Sequence, residues 1–140
     1  MVPSPLTVAD LMTTVVAAFS PDDSLLEADV GMRLGQIRHL PVTDGEHRVI
    51  GILSSHDVLG HLKAGLSRPV RVAEVMTKKV ITAHPAMPAH EAARLLLEHR
   101  IGALPVVDAA GVLVGIVTEG DFVKLAARWL AGEAILPKQA

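Results

Sequence analysis

Cysteine is absent from the 140 residues, which removes disulfides, thiolate nucleophiles and cysteine-based zinc sites and fits a reducing compartment. Aromatic side chains are scarce: Phe19, Phe122 and Trp129 are the whole set, too few to form a platform for unstacked bases. Neither sign of charge dominates, since 13 basic and 15 acidic residues leave a net charge of −2. No general field therefore attracts a phosphate backbone, Lys78-Lys79 is too small a cluster to supply one, and nucleic-acid binding is disfavoured. No apolar run approaches the roughly 20 residues needed to span a bilayer. The start, Met1-Val2-Pro3-Ser4-Pro5, lacks the basic and apolar regions of a signal peptide, so a cytoplasmic protein without membrane contact is expected.

Catalytic signatures are missing as well. There is no Gly-x-x-x-x-Gly-Lys-Ser/Thr loop, no Gly-x-Gly-x-x-Gly, no His-Glu-x-x-His and no Gly-x-Ser-x-Gly. Gly115 to Gly120 has the spacing of a phosphate loop but continues into Asp121-Phe122. His56 and His61 are five apart and His84 and His90 six apart, so neither pair shares a helix face at metal-ligand spacing. Neither a catalytic residue nor a metal ligand is expected.

Half of the residues are apolar, enough to bury a core at this length. The chain is organised around Gly115-Ile116-Val117-Thr118-Glu119-Gly120-Asp121, which the apolar pattern predicts to be a short buried strand entering a helix. The same arrangement stands 64 residues earlier, in Gly51-Ile52-Leu53-Ser54-Ser55-His56-Asp57. Such a turn delivers a hydroxyl and a carboxylate to a helix N-terminus, where unpaired N–H donors and the positive dipole end suit phosphate and ribose. Ser54-x-x-Asp57 and Thr118-x-x-Asp121 also fit capping boxes that need no ligand, as does Ser24-Leu25-Leu26-Glu27.

The repetition extends over a whole unit. Residues 8–63 align with 72–127 without insertion and share sixteen identities, among them Met12/Met76, Pro21/Pro85, Pro41/Pro105, Gly51/Gly115 and Asp57/Asp121. After an extended lead-in, Met1 to Leu6, each copy begins with a helical turn, Val8–Thr13 or Val72–Thr77. A strand candidate follows, Val15–Ala18 or Val80–Ala83, ending before Pro21 or Pro85. A helix comes next, capped by Ser24 in the first copy and opened by Pro88 in the first turn of the second. Two strands, 37–44 with 49–53 and 101–108 with 112–117, then form a hairpin, each broken near its start by proline and turned through Gly45 or Gly111. A closing helix completes the unit; in the second copy the segment from Phe122 to Leu136 is the longer and places Val123, Ala126, Ala127 and Leu130 on one face, with Trp129 at its edge. The predicted class is α+β: two βαββα repeats packed about a pseudo-twofold axis, residues 1–63 and 72–140, joined by a linker at 64–71.

Met12-Thr13 and Met76-Thr77, Leu40-Pro41-Val42 and Leu104-Pro105-Val106, and the two Gly-x-x-Ser/Thr-x-x-Asp turns together resemble tandem cystathionine-β-synthase (CBS) domains, a Bateman module. The resemblance covers residues 8 to about 127. It implies a regulatory, non-enzymatic sensor with no resident cofactor, binding adenosine nucleotides such as AMP, ADP or ATP as regulatory ligand in clefts between the repeats. By the same resemblance Asp57 and Asp121 hold ribose hydroxyls, and Ser54 and Thr118 meet phosphate. Ala18, Ile37, Arg38 and His39 line one cleft; Thr82, Ile101, Gly102 and Ala103 line the other. Arg38 and His39 are cationic donors for which the second copy has only Gly102 and Ala103. The resemblance also implies a homodimer formed through helices, and an output directed at a regulated protein in trans. The alternative from a different class is a dimerisation or interaction module without ligand control, whose hydroxyl-aspartate pairs are caps only.

Overall fold

A computed structural model describes residues 5–14, 16–65 and 67–137. Val15 of the expected first strand, Met1 to Ser4 of the lead-in and Leu66 of the linker lie outside these. The chain forms two compact units that do not coincide with the two sequence repeats: one comprises Ala17–Val80 and Ala110–Leu113, the other Met1–Val16, Ile81–Ala109 and Val114–Ala140. The opening helical turn of each repeat thus belongs to the unit built on the other.

In the unit centred on the first repeat, α2 (Leu25–Gly35) packs behind the antiparallel hairpin of β1 (His39–Thr43) and β2 (Val49–Ser54), and α3 (Ser55–Lys63) follows β2 directly. Leu25, Ala28, Met32, Leu40, Val42, Leu53 and Val58 form the core, joined by Val72 from α4 (Val72–Val75). α4 has only one turn, so its orphan amides need outside partners. They find them: Val72 N–H donates to the Asp23 carbonyl at 2.8 Å and Ala73 N–H to that of Pro21 at 3.0 Å, while Glu74 of α4 reaches back to accept the N-cap Arg71 N–H at 2.8 Å. The following Thr77 exchanges two backbone hydrogen bonds with Ile52 on the outer edge of β2. Met76 packs over Gly51, where any Cβ would collide with its Sδ, which explains why glycine accompanies the Met-Thr pair in both repeats.

The unit centred on the second repeat is built alike from α1 (Val8–Leu11), α5 (Ala89–His99), β3 (Ala103–Val107), β4 (Leu113–Thr118) and α6 (Glu119–Leu130). Val8, Ala83, Ala92, Leu96, Leu104, Val106 and Val117 are its core. The first amides of α1 donate to the Met87 and Pro85 carbonyls, and Thr13 pairs with Ile116 as Thr77 does with Ile52.

Several expectations are refined. In place of the first strand of each repeat the described residues show one parallel bridge, Ala83 to Val106 at the end of the expected Val80–Ala83 and Phe19 to Val42 one residue beyond the expected Val15–Ala18, after which the chain turns away at Ser20-Pro21 and His84-Pro85. Pro41 and Pro105 do not break their strands: both are buried within them, and their carbonyls accept the Phe19 and Ala83 N–H groups at 3.0 and 2.9 Å. These backbone groups are occupied by the protein, not turned toward a ligand. In the first hairpin turn the left-handed residue is His47 (φ 61°), not Gly45, while Gly111 (φ 83°) takes the matching place in the second. Pro88 sits at the N-cap of α5, one residue before the first turn. α6 ends at Leu130, with left-handed Gly132 just beyond, so the helix stops short of Leu136.

Candidate functional site

Each strand-to-helix turn is tied to the segment that enters the hairpin. In the first repeat the Ser55 N–H, first of α3, donates to the Arg38 carbonyl at 2.7 Å, and β-pairing sets His39 opposite Ser54. Arg38, His39, Ser54 and Asp57 therefore share one patch. In the second repeat Glu119 N–H donates to the Gly102 carbonyl at 3.0 Å, so Gly102, Ala103, Thr118 and Asp121 are grouped in the same way. Ile37 and Ile101 are half-buried and packed on their cores. Ala18 is exposed beside Phe19, and Thr82 half-buried beside Ala83, each next to the bridge that its neighbour makes with the hairpin.

The two turns are not equivalent at the carboxylate. Thr118 N–H and the Thr118 hydroxyl both donate to Asp121 Oδ2, at 2.8 and 3.2 Å, so Asp121 is folded back onto its own cap. Ser54 Oγ accepts the Asp57 N–H at 3.1 Å, but the Asp57 carboxylate accepts no hydrogen bond among the described residues. The capping-box expectation thus holds in full for the second turn and by half for the first. At Ser24 too the hydroxyl accepts the Glu27 N–H, at 3.0 Å. Arg38, whose carbonyl meets the first amide of α3, is exposed and has no ion-pair partner among the described residues.

Beside Asp57 lies an open recess of about 330 Å³, lined by His56, Asp57, Gly60, His61 and Ala64. The motif singles out only Asp57. Gly60, His61 and Ala64 follow from helical geometry, since positions 57, 60, 61 and 64 fall on one face, and His56 borders it; His61 is anchored there by a ring nitrogen 3.1 Å from the Asp57 carbonyl. Among the described residues no group of three His, Asp or Glu side chains is arranged to hold a metal ion, and no helix is long and apolar enough to cross a membrane.

Comparison with known proteins places these turns in context. The chain is 38% identical over 109 residues to inosine-5'-monophosphate dehydrogenase of Methanocaldococcus jannaschii, a match covering 78% of this chain and 21% of that enzyme. The chain spans about a fifth of the length of the curated relatives it matches. Among solved structures, the CBS domain pair of protein MJ0100, in complex with 5'-methylthioadenosine and S-adenosyl-L-methionine, superposes with a TM-score of 0.82 at 30% identity, covering 89% of this chain and 98% of that one. CBSX2 in complex with AMP superposes with a TM-score of 0.78 at 31% identity, covering 89% and 98%. The sequence pattern of the CBS domain itself matches residues 8–64 and again 72–128, and by that double match the chain belongs to the CBS domain family.

Proposed function

We propose that this chain is a regulatory, non-catalytic module that binds an adenosine nucleotide (AMP, ADP, ATP or a related adenosyl compound) and passes the event on as a changed shape or partner surface. Asp57 and Asp121 anchor ribose hydroxyls as paired acceptors, Ser54 and Thr118 with the adjoining helix amides meet phosphate, and Arg38 adds a bidentate cationic grip in the first repeat. The base rests against Ala18, Ile37 and His39 in one site and Thr82, Ile101, Gly102 and Ala103 in the other. The AMP and adenosyl ligands of the related CBS pairs support this class of ligand. The observation that carries the reading is the Asp57 carboxylate: a residue present only to cap α3 would accept a backbone N–H, and among the described residues this one accepts none.

The module acts in the cytoplasm as a homodimer on a protein in trans. The dimer is supported by α6, which has no buried residue and leaves Val123, Trp129 and Leu130 between 67% and 76% exposed. Thermal melting with millimolar AMP, ADP, ATP and S-adenosylmethionine tests the ligand. A compound at about 100 times its dissociation constant adds about 2.7 kcal/mol and raises the midpoint by about 9 °C. No shift with any of the four would overturn the reading in favour of an interaction module whose turns only cap.

A further inference from the structure

The two helix mouths share one backbone frame but differ in charge. At the first, Ser55 and His56 open α3, the carbonyl partner of Ser55 belongs to Arg38, and Asp57 is the sole acid. At the second, the residue matching Ser55 is Glu119, the one matching His56 is Gly120, and the carbonyl partner is Gly102. Glu119 is exposed, and no ion pair holds it among the described residues. The basic residues nearest in sequence are Arg100, at the C-cap of α5, and Lys124, a turn into α6; the position matching Arg38 is Gly102. Formal charge is thus zero at the first mouth before any histidine protonates, and −2 at the second.

A dianionic phosphate distinguishes sharply between such places. Arg38 offers charge-assisted hydrogen bonds, whereas the Glu119 carboxylate repels. At an exposed helix end one such charge within several ångströms alters phosphate affinity by about tenfold. At the second mouth Asp121 Oδ2 already accepts two hydrogen bonds from Thr118, which leaves Oδ1 for ribose.

We infer, resting on the adenosine reading above, that the two repeats divide adenosine compounds by phosphate. The Asp57 site takes a 5'-phosphorylated nucleotide, and the Asp121 site takes an unphosphorylated adenosine compound. One chain then responds to two ligands of different charge.

AMP and adenosine, which differ only in the phosphate, are the probes, and calorimetry on the full chain is the measurement. AMP should saturate at one equivalent, at least tenfold more tightly than adenosine, and the AMP-loaded chain should take up one further equivalent of adenosine. Asp57→Asn should abolish the AMP equivalent and leave the adenosine one. Glu119→Ser, an exposed substitution that breaks no hydrogen bond, should admit a second equivalent of AMP. Melting curves confirm that each variant is folded. Two equal AMP sites in the wild type, an AMP equivalent indifferent to Asp57→Asn, or a stoichiometry unchanged by Glu119→Ser would each overturn the division while leaving adenosine binding intact. A folded chain that binds neither probe would overturn the adenosine reading itself.

Discussion

A single carboxylate separates a cap from a ligand anchor. Asp121 satisfies the Thr118 N–H and hydroxyl, so Asp121→Ala should lower stability by about 1 kcal/mol, the usual loss when a helix cap is removed. Asp57 caps nothing with its side chain, so Asp57→Ala should stay within about 0.5 kcal/mol of the wild type. Urea denaturation of both variants without ligand measures the contrast, and equal losses would count against it. A second contrast between the repeats concerns backbone: His47 holds φ 61° where Gly111 holds φ 83°. A β-carbon crowds the left-handed region, so His47→Gly should stabilise the protein by about 0.5–1 kcal/mol, readable as a raised urea midpoint. Such asymmetries are legible in the sequence only as differing letters. Ser54-x-x-Asp57 and Thr118-x-x-Asp121 are the same pattern on paper, and which carboxylate turns back onto its cap depends on rotamers that no spacing encodes.

Among the elements, the one-turn helices depend most on their ends. Glu74 caps α4 through the Arg71 N–H and pairs with Arg68 at 2.7 Å. The Arg68 guanidinium, then the Arg71 N–H, lower its pKa from an ordinary 4.5 to about 2. A depressed folded-state pKa gives stability that is complete above the unfolded value and fades as pH falls through the folded one. The deficit of Glu74→Gln against wild type should therefore be constant above about pH 5, shrink between 4.5 and 2, and vanish below; denaturation midpoints across that range check it, and a deficit independent of pH would refute it. The helices and hairpins were predictable because their apolar residues recur at the right periods. The reduction of each first strand to a single bridge, at Phe19 and at Ala83, was not, since one paired residue leaves no alternation to detect. Pro41 and Pro105 misled for a related reason: proline donates nothing to a ladder, but its carbonyl still accepts, and here the neighbouring segment supplies the N–H.

At the scale of the molecule, the exposed apolar face of α6 predicts association. Light scattering at tens of micromolar should give a mass near twice the 14.8 kDa chain, and Trp129→Glu with Leu130→Glu should return it to the monomer; a monomeric wild type would remove the proposed seam. The repeat boundaries were plain in the sequence, yet the compact units were not, because an alignment of 8–63 with 72–127 records similarity and not the path of the chain. Val8 and Val72 occupy matching positions, and each is fully buried in the core of the unit built on the other repeat. Each repeat thus holds a missing piece of its twin, a reciprocal debt that only a second copy can settle. A lone repeat would have no opening turn of its own to fill its core, and two identical lone repeats could complete one another only by exchanging those turns. The tandem chain performs that exchange within one polypeptide, as a swapped dimer fused into a single molecule, and duplication then left each half free to change its helix mouth while still bound to the other by its core.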